Sequence, residues 1–153
     1  MKITTKCTSL VKKFEGCRLT AYKDSVGVWT IGYGTTNADK AITGLTIKAG
    51  TKITQKQADE FLKKSLWHKY LKKVSKYDKK YHFNQNQIDA LVCFAYNIGS
   101  IDQLTNNGQR SIAQISAKIP AYNKAGGKVL AGLTKRRAEE KALFDKPVKA
   151  VKK

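Results

Sequence analysis

Glu15, Asp24 and Thr30 are the residues of this chain whose types and spacing could do chemistry. They lie in the stretch FEGCRLTAYKDSVGVWTIGYGTT, residues 14 to 36, in a protein with eleven carboxylates against thirty Lys plus Arg. Two carboxylates approaching one bond from opposite sides can hydrolyse a glycoside: one stays protonated to assist the leaving oxygen, and the other stays ionised to activate water or attack the ring. That division of labour requires environments that push the two pKa values apart. Glu15 follows Phe14 at a helix end, where burial and the negative pole of the helix favour the protonated form. Asp24, between Lys23 and Ser25, has the more polar setting and suits the ionised partner. A hydroxyl at Thr30 could share a water with Asp24. Taken singly, each carboxylate also has an ordinary structural explanation, because Asp heads many turns and Glu is common at exposed helix ends.

The elements around the trio are legible. Ile3, Cys7, Leu10, Val11 and Phe14 fall at three- and four-residue steps, which predicts a helix over 1–14 with Gly16 stopping it. RLTAY and VWTIGY are rich in Thr, Val, Ile and aromatics, and DSVG between them supplies a turn, so residues 18–34 are expected as a hairpin. From 35 to 53 a further irregular strand and loops are expected. Thr54 with Gln57 forms a capping-box pair. It opens a helix of about five turns along Ala58, Phe61, Leu62, Leu66, Tyr70 and Val74. Asn84 with Gln87 opens a second one, closed by Gly99. SIAQISAKI is expected as a helix ending at Pro120, NKAGGK as a loop, and LTKRRAEEKALF as the last helix. The fold class is therefore α+β, with the β part segregated to one end. One domain over 1–153 is expected, with a β-rich lobe at 14–55, a helical lobe at 75–153, and the first helix packed on the helical lobe. A cleft between lobes is the expected place for a ligand.

The spacing Glu, eight residues, Asp, five residues, Thr resembles the catalytic signature of the phage-type lysozymes, glycoside hydrolase family 24. With four Glu, seven Asp and thirteen Thr, that spacing arises by chance about once or twice in a hundred such chains. The resemblance extends along the chain: TIGYGT is similar to the family's T-I-G-Y-G-H, QIDALVCFAYNIG to its central buried helix, and GLTKRRAEEKALF to its C-terminal segment. It implies a lysozyme-like fold and a muramidase that cleaves the β-1,4 bond between N-acetylmuramic acid and N-acetylglucosamine in bacterial peptidoglycan, as an endolysin in host lysis. It implies no cofactor and no metal. By the same matching, Glu15 is the general acid, Asp24 and Thr30 handle the water or Asp24 attacks the sugar, and Thr36, Tyr96 and Asn97 line the saccharide cleft. The family's usual description is inversion, with retention argued for some members. Thr35 stands where many members carry His, which bears on local stability and pH profile rather than on the trio.

Composition bounds the partners. The net charge of +19 predicts attraction to a polyanion, whether nucleic acid, membrane surface or anionic cell envelope; no zinc-finger, basic-zipper or RNP-type motif turns it into specific nucleic-acid recognition, and the resemblance implies anionic cell-envelope polymers. Cys7, Cys17 and Cys93 show no metal-ligand spacing, and Cys93 in ALVCFAYN is expected as a buried thiol. There is no run of apolar residues long enough for a membrane span and no secretory signal pattern. A monomer held in the host cytoplasm, and released to the wall through a lesion made by a separate protein, is the expectation. The competing reading from another class is a cell-wall-binding protein of lysozyme fold with weak or no catalysis.

Overall fold

The computed structural model describes residues 1–148; residues 149–153, the end of the basic tail, lie outside the described residues. Helix α1 (Thr5–Glu15) is capped by the Thr4 hydroxyl and ends at Gly16, whose φ of 68° suits a residue without Cβ. A three-stranded antiparallel sheet follows in the order β1 (Arg18–Lys23), β2 (Trp29–Gly32) and β3 (Thr35–Thr36). The expected strand-and-loop stretch after it contains a 3₁₀ turn (Asn37–Asp39) and a short helix α2 (Lys40–Thr43). Asp39 closes a capping box with Thr36 there, a local signal in T-T-N-A-D.

The connecting helix is not the regular five turns that its spacing predicts. It divides into α3 (Gln55–Ser65), a π turn (Leu66–Tyr70) and α4 (Leu71–Ser75). The Leu71 amide donates to the Leu66 carbonyl, five residues back, which is what one extra residue in a helix produces. The buried series is therefore Leu62, Leu66, Leu71, Val74. Tyr70 is displaced from the core stripe and meets Tyr96 edge-on, with centroids 5.1 Å apart.

After α5 (Asp78–Tyr81) comes α6 (Gln85–Ile98), buried on nearly every face from Ile88 to Ala95, as expected of a helix at the centre of a domain. Its fully buried Asp89 accepts from the Thr4 amide at 2.8 Å and the Thr4 hydroxyl at 2.6 Å, tying the start of α1 to α6. Both capping boxes expected at Thr54 and Asn84 are formed, as is the Gly99 C-cap. Next come α7 (Asp102–Thr105) and α8 (Ile112–Lys118), the latter giving way to a 3₁₀ turn through Pro120. NKAGGK is a hairpin rather than a plain loop: β4 (Lys124–Ala125) pairs with β5 (Lys128–Val129). Gly126 and Gly127 both have positive φ between them, the requirement of a two-residue hairpin turn. The last helix, α9 (Ala131–Asp145), packs on α6. Helix α1 packs on both, so its C-terminal end, Glu15, is delivered beside the α6–α9 seam.

Candidate active site

Glu15 is the last residue of α1, and its side chain is 20% exposed. It lines a cavity of about 320 Å³ with Phe14, Asn97, Leu130, Leu133 and Arg136. Arg136 Nη1 approaches Glu15 Oε1 at 3.5 Å. That guanidinium is largely committed elsewhere: Nε donates to Glu140 Oε2 at 3.1 Å and Nη2 to the Cys93 carbonyl at 2.9 Å. Glu140 is fully buried between Arg136 and Arg137, so it neutralises much of the charge that would otherwise act on Glu15. Desolvation accordingly outweighs the attraction of Arg136, and burial holds the Glu15 carboxyl above the ordinary carboxylate range.

Asp24 and Thr30 are held together by one backbone unit, Val28. The Asp24 Oδ1 atom accepts from the Val26 and Val28 amides, each at 2.9 Å, an Asx-type turn closing DSVG. The Val28 carbonyl accepts from the Asp24 amide and from the Thr30 hydroxyl, both at 2.9 Å. Two consequences follow. Among the described residues Asp24 Oδ2 accepts no hydrogen bond, and the Thr30 oxygen, its proton already donated, is left as an acceptor. Thr30 lies opposite Tyr22 on β1 and Thr36 on β3.

The other expected residues fall as follows. Thr36 is the cross-strand partner of Thr30, and its hydroxyl accepts from the Ala38 amide at 3.3 Å. Asn97 is exposed, lines the Glu15 cavity, and accepts from Arg137 through its Oδ1. The Tyr96 hydroxyl donates to the Tyr33 carbonyl at 2.6 Å, so what it offers a ligand is its ring. Thr35 is a buried strand residue paired with Ile31. Cys7 and Cys93 are buried and Cys17 is exposed. A larger hollow, about 550 Å³ between α1 and α3, contains none of the trio.

Sequence reasoning did not single out Arg136, Arg137 and Glu140. Their signal was present in RRAEE, where arginines three and four residues before a Glu share a helix face. Nothing local says that this face is buried against Glu15.

A sheet arm with a turn carboxylate, a helix-end Glu in a cavity and a central buried helix define a lysozyme-like fold. The phage lysozyme family profile matches residues 12–140, and the chain belongs to that family. It is 42% identical over 150 residues to the endolysin of Lactococcus phage c2, covering 97% of this chain and 62% of that protein. The chain thus spans about three fifths of the length of the first curated relatives it matches. Among solved structures, the endolysin from Escherichia coli O157:H7 phage FAHEc1 superposes with a TM-score of 0.78 at 32% identity, covering 99% of this chain and 98% of that one. The muramidase domain of SpmX from Asticaccaulis excentricus gives 0.78 at 31%, covering 95% and 99%. Among the described residues no helix is long and apolar enough to cross a membrane.

Proposed function

We propose that this chain is a muramidase of the endolysin kind, hydrolysing the β-1,4 bond between N-acetylmuramic acid and N-acetylglucosamine in peptidoglycan. The observation that carries the reading is the contrast between its two carboxyls: Glu15 is half-buried in a cavity, with desolvation raising its pKa, and Asp24 is aimed by turn amides. Glu15 delivers its proton to the leaving glycosidic oxygen as the bond to C1 breaks. A water donating one hydrogen to Asp24 Oδ2 and the other to the Thr30 oxygen has its lone pair free for C1, and Asp24 takes up its proton. Water positioning is favoured over direct attack because Thr30 is left as an acceptor beside Asp24. Asn97 and Thr36, with the ring of Tyr96, are the side chains proposed to contact the sugars.

The test is clearance of purified peptidoglycan. Wild type is expected to clear it, and Glu15→Gln, which keeps shape and loses the proton, is expected to lose turnover by about 10²-fold or more. If both proteins bind the wall and neither clears it, the reading as a non-catalytic wall-binding protein takes its place. The net charge of +19 is proposed to hold the enzyme near anionic envelope polymers. Clearance of whole cells should then fall steeply with added salt, while hydrolysis of a small neutral chito-oligosaccharide should not; equal sensitivity overturns that part. The proposed setting is a monomer in the host cytoplasm, reaching the wall through a lesion that another protein makes.

A further inference from the structure

We propose that Tyr96 is a positioning residue whose hydroxyl straps the Tyr33–Gly34 segment across the Glu15 carboxyl. The strap is a 2.6 Å hydrogen bond from Tyr96 Oη to the Tyr33 carbonyl. Among the described residues it is the one side-chain hydrogen bond running from the sheet arm, residues 18–36, to α6 or any later element. Gly34 lies directly under it. With a φ of +94°, its backbone comes so close that an added Cβ would stand 3.6 Å from Tyr96 Oη and 4.0 Å from Glu15 Oε2. Gly34 thus stands beside both the hydroxyl and the carboxyl, where holding it in place limits the water that can reach a carboxyl already only 20% exposed.

The hydroxyl is itself aimed. The Tyr96 ring meets the edge of Tyr70 at 5.1 Å, and Tyr70 is there because the π turn moves it off the core stripe. An edge-to-face contact restricts the ring that carries the hydroxyl. The chain of contacts therefore runs from the helix irregularity, through two tyrosines, to one carbonyl and the glycine beside Glu15.

The consequence for a proton donor follows from its surroundings. The charged and titratable groups acting on Glu15 are Arg136, Arg137 and Glu140 from α9 and Tyr96 from α6. Removing the Tyr96 hydroxyl changes none of those charges. It releases the cover. Glu15 then hydrates and its pKa falls. An acid must carry its proton to act, so activity declines as pH rises through that pKa, and a lower pKa moves the decline to lower pH.

Tyr96→Phe keeps the ring and its contact with Tyr70 and removes only the donor. The first measurement is a ¹³C NMR titration of the Glu15 carboxyl without substrate, where the midpoint is expected below that of wild type. The second is kinetic: kcat at neutral pH down about tenfold with KM unchanged, and the basic limb of the pH profile moved to lower pH. An unmoved midpoint overturns the strap, even if melting temperature falls, because loss of stability alone does not shift a titration. A rise in KM alone assigns the Tyr96 hydroxyl, and not only its ring, to substrate contact and also overturns it. If Tyr96→Phe does not fold, Tyr70→Leu retains the hydroxyl and removes its guide; a smaller shift in the same direction is expected, and none overturns the proposal. The kinetic consequence rests on Glu15 being the acid, but the titration does not. A wild type without muramidase activity would remove the proposed function and leave the strap tested.

Discussion

The hairpin that carries Asp24 and the helical wall that carries Glu15 solve the same problem, holding a carboxyl still, by opposite means. In the hairpin everything is local, and the turn around Asp24 is exposed while Thr30 beneath it is buried. Four hydrogen bonds within residues 24–30 orient Asp24 and Thr30 on Val28, and Val26 beside them is 80% exposed. In the wall everything is distant and mostly dry. Glu15, half-buried, is set by Arg136, which is set by Glu140 and by the Cys93 carbonyl of another helix, and those three residues are buried. On the proposed mechanism, the exposed turn suits a group that meets water, and the desolvated wall suits a group that keeps a proton.

The comparison predicts unequal responses to damage. Glu140→Gln leaves two buried guanidiniums without their anion and should cost about 3–5 kcal/mol of stability, read by thermal or denaturant unfolding. It also frees Arg136 for Glu15, whose carboxyl should then titrate lower, so the protein that remains folded loses the Glu15 proton, the proposed acid, at lower pH. A loss under about 1 kcal/mol would mean the network is far less isolated from water than its burial indicates. Gly27→Ala disturbs the hairpin alone. With φ at +84° and nothing within 4 Å of an added Cβ, it strains the turn without a clash and should cost about 1 kcal/mol. Its larger effect is expected in kcat, through Asp24. A drop in melting temperature matching that of Glu140→Gln would erase the distinction between the two regions.

The same contrast explains what could be read in advance. The hairpin, the capping pairs at Thr54 and Asn84, and the glycine stops at 16 and 99 are encoded within a few residues of where they act. The spacing of Glu15, Asp24 and Thr30 was legible for that reason. The Glu15–Arg136 approach joins opposite ends of the chain, and no local pattern specifies which helix faces meet. The Gly126–Gly127 hairpin was a misweighed signal: a glycine pair is a strong turn former, but strands of two exposed residues leave no alternating pattern to flank it. The π turn was hidden because Tyr70, at the regular spacing, carries a large ring that fits a core stripe about as well in pattern as the Leu71 that takes the buried place.

That extra residue has a further meaning when the chain is thought of as a length of tape. Taking one position out between 66 and 70 would bring Leu62, Leu66, Leu71 and Val74 to plain three- and four-residue steps. The core stripe of the connecting helix would close up without a gap. The loss would fall on Tyr70, no longer pushed out to meet Tyr96. On the proposed strap, a one-residue deletion at 66–70 would spare the buried stripe and remove the Tyr70–Tyr96 contact, which would change the surroundings of Glu15 without touching it.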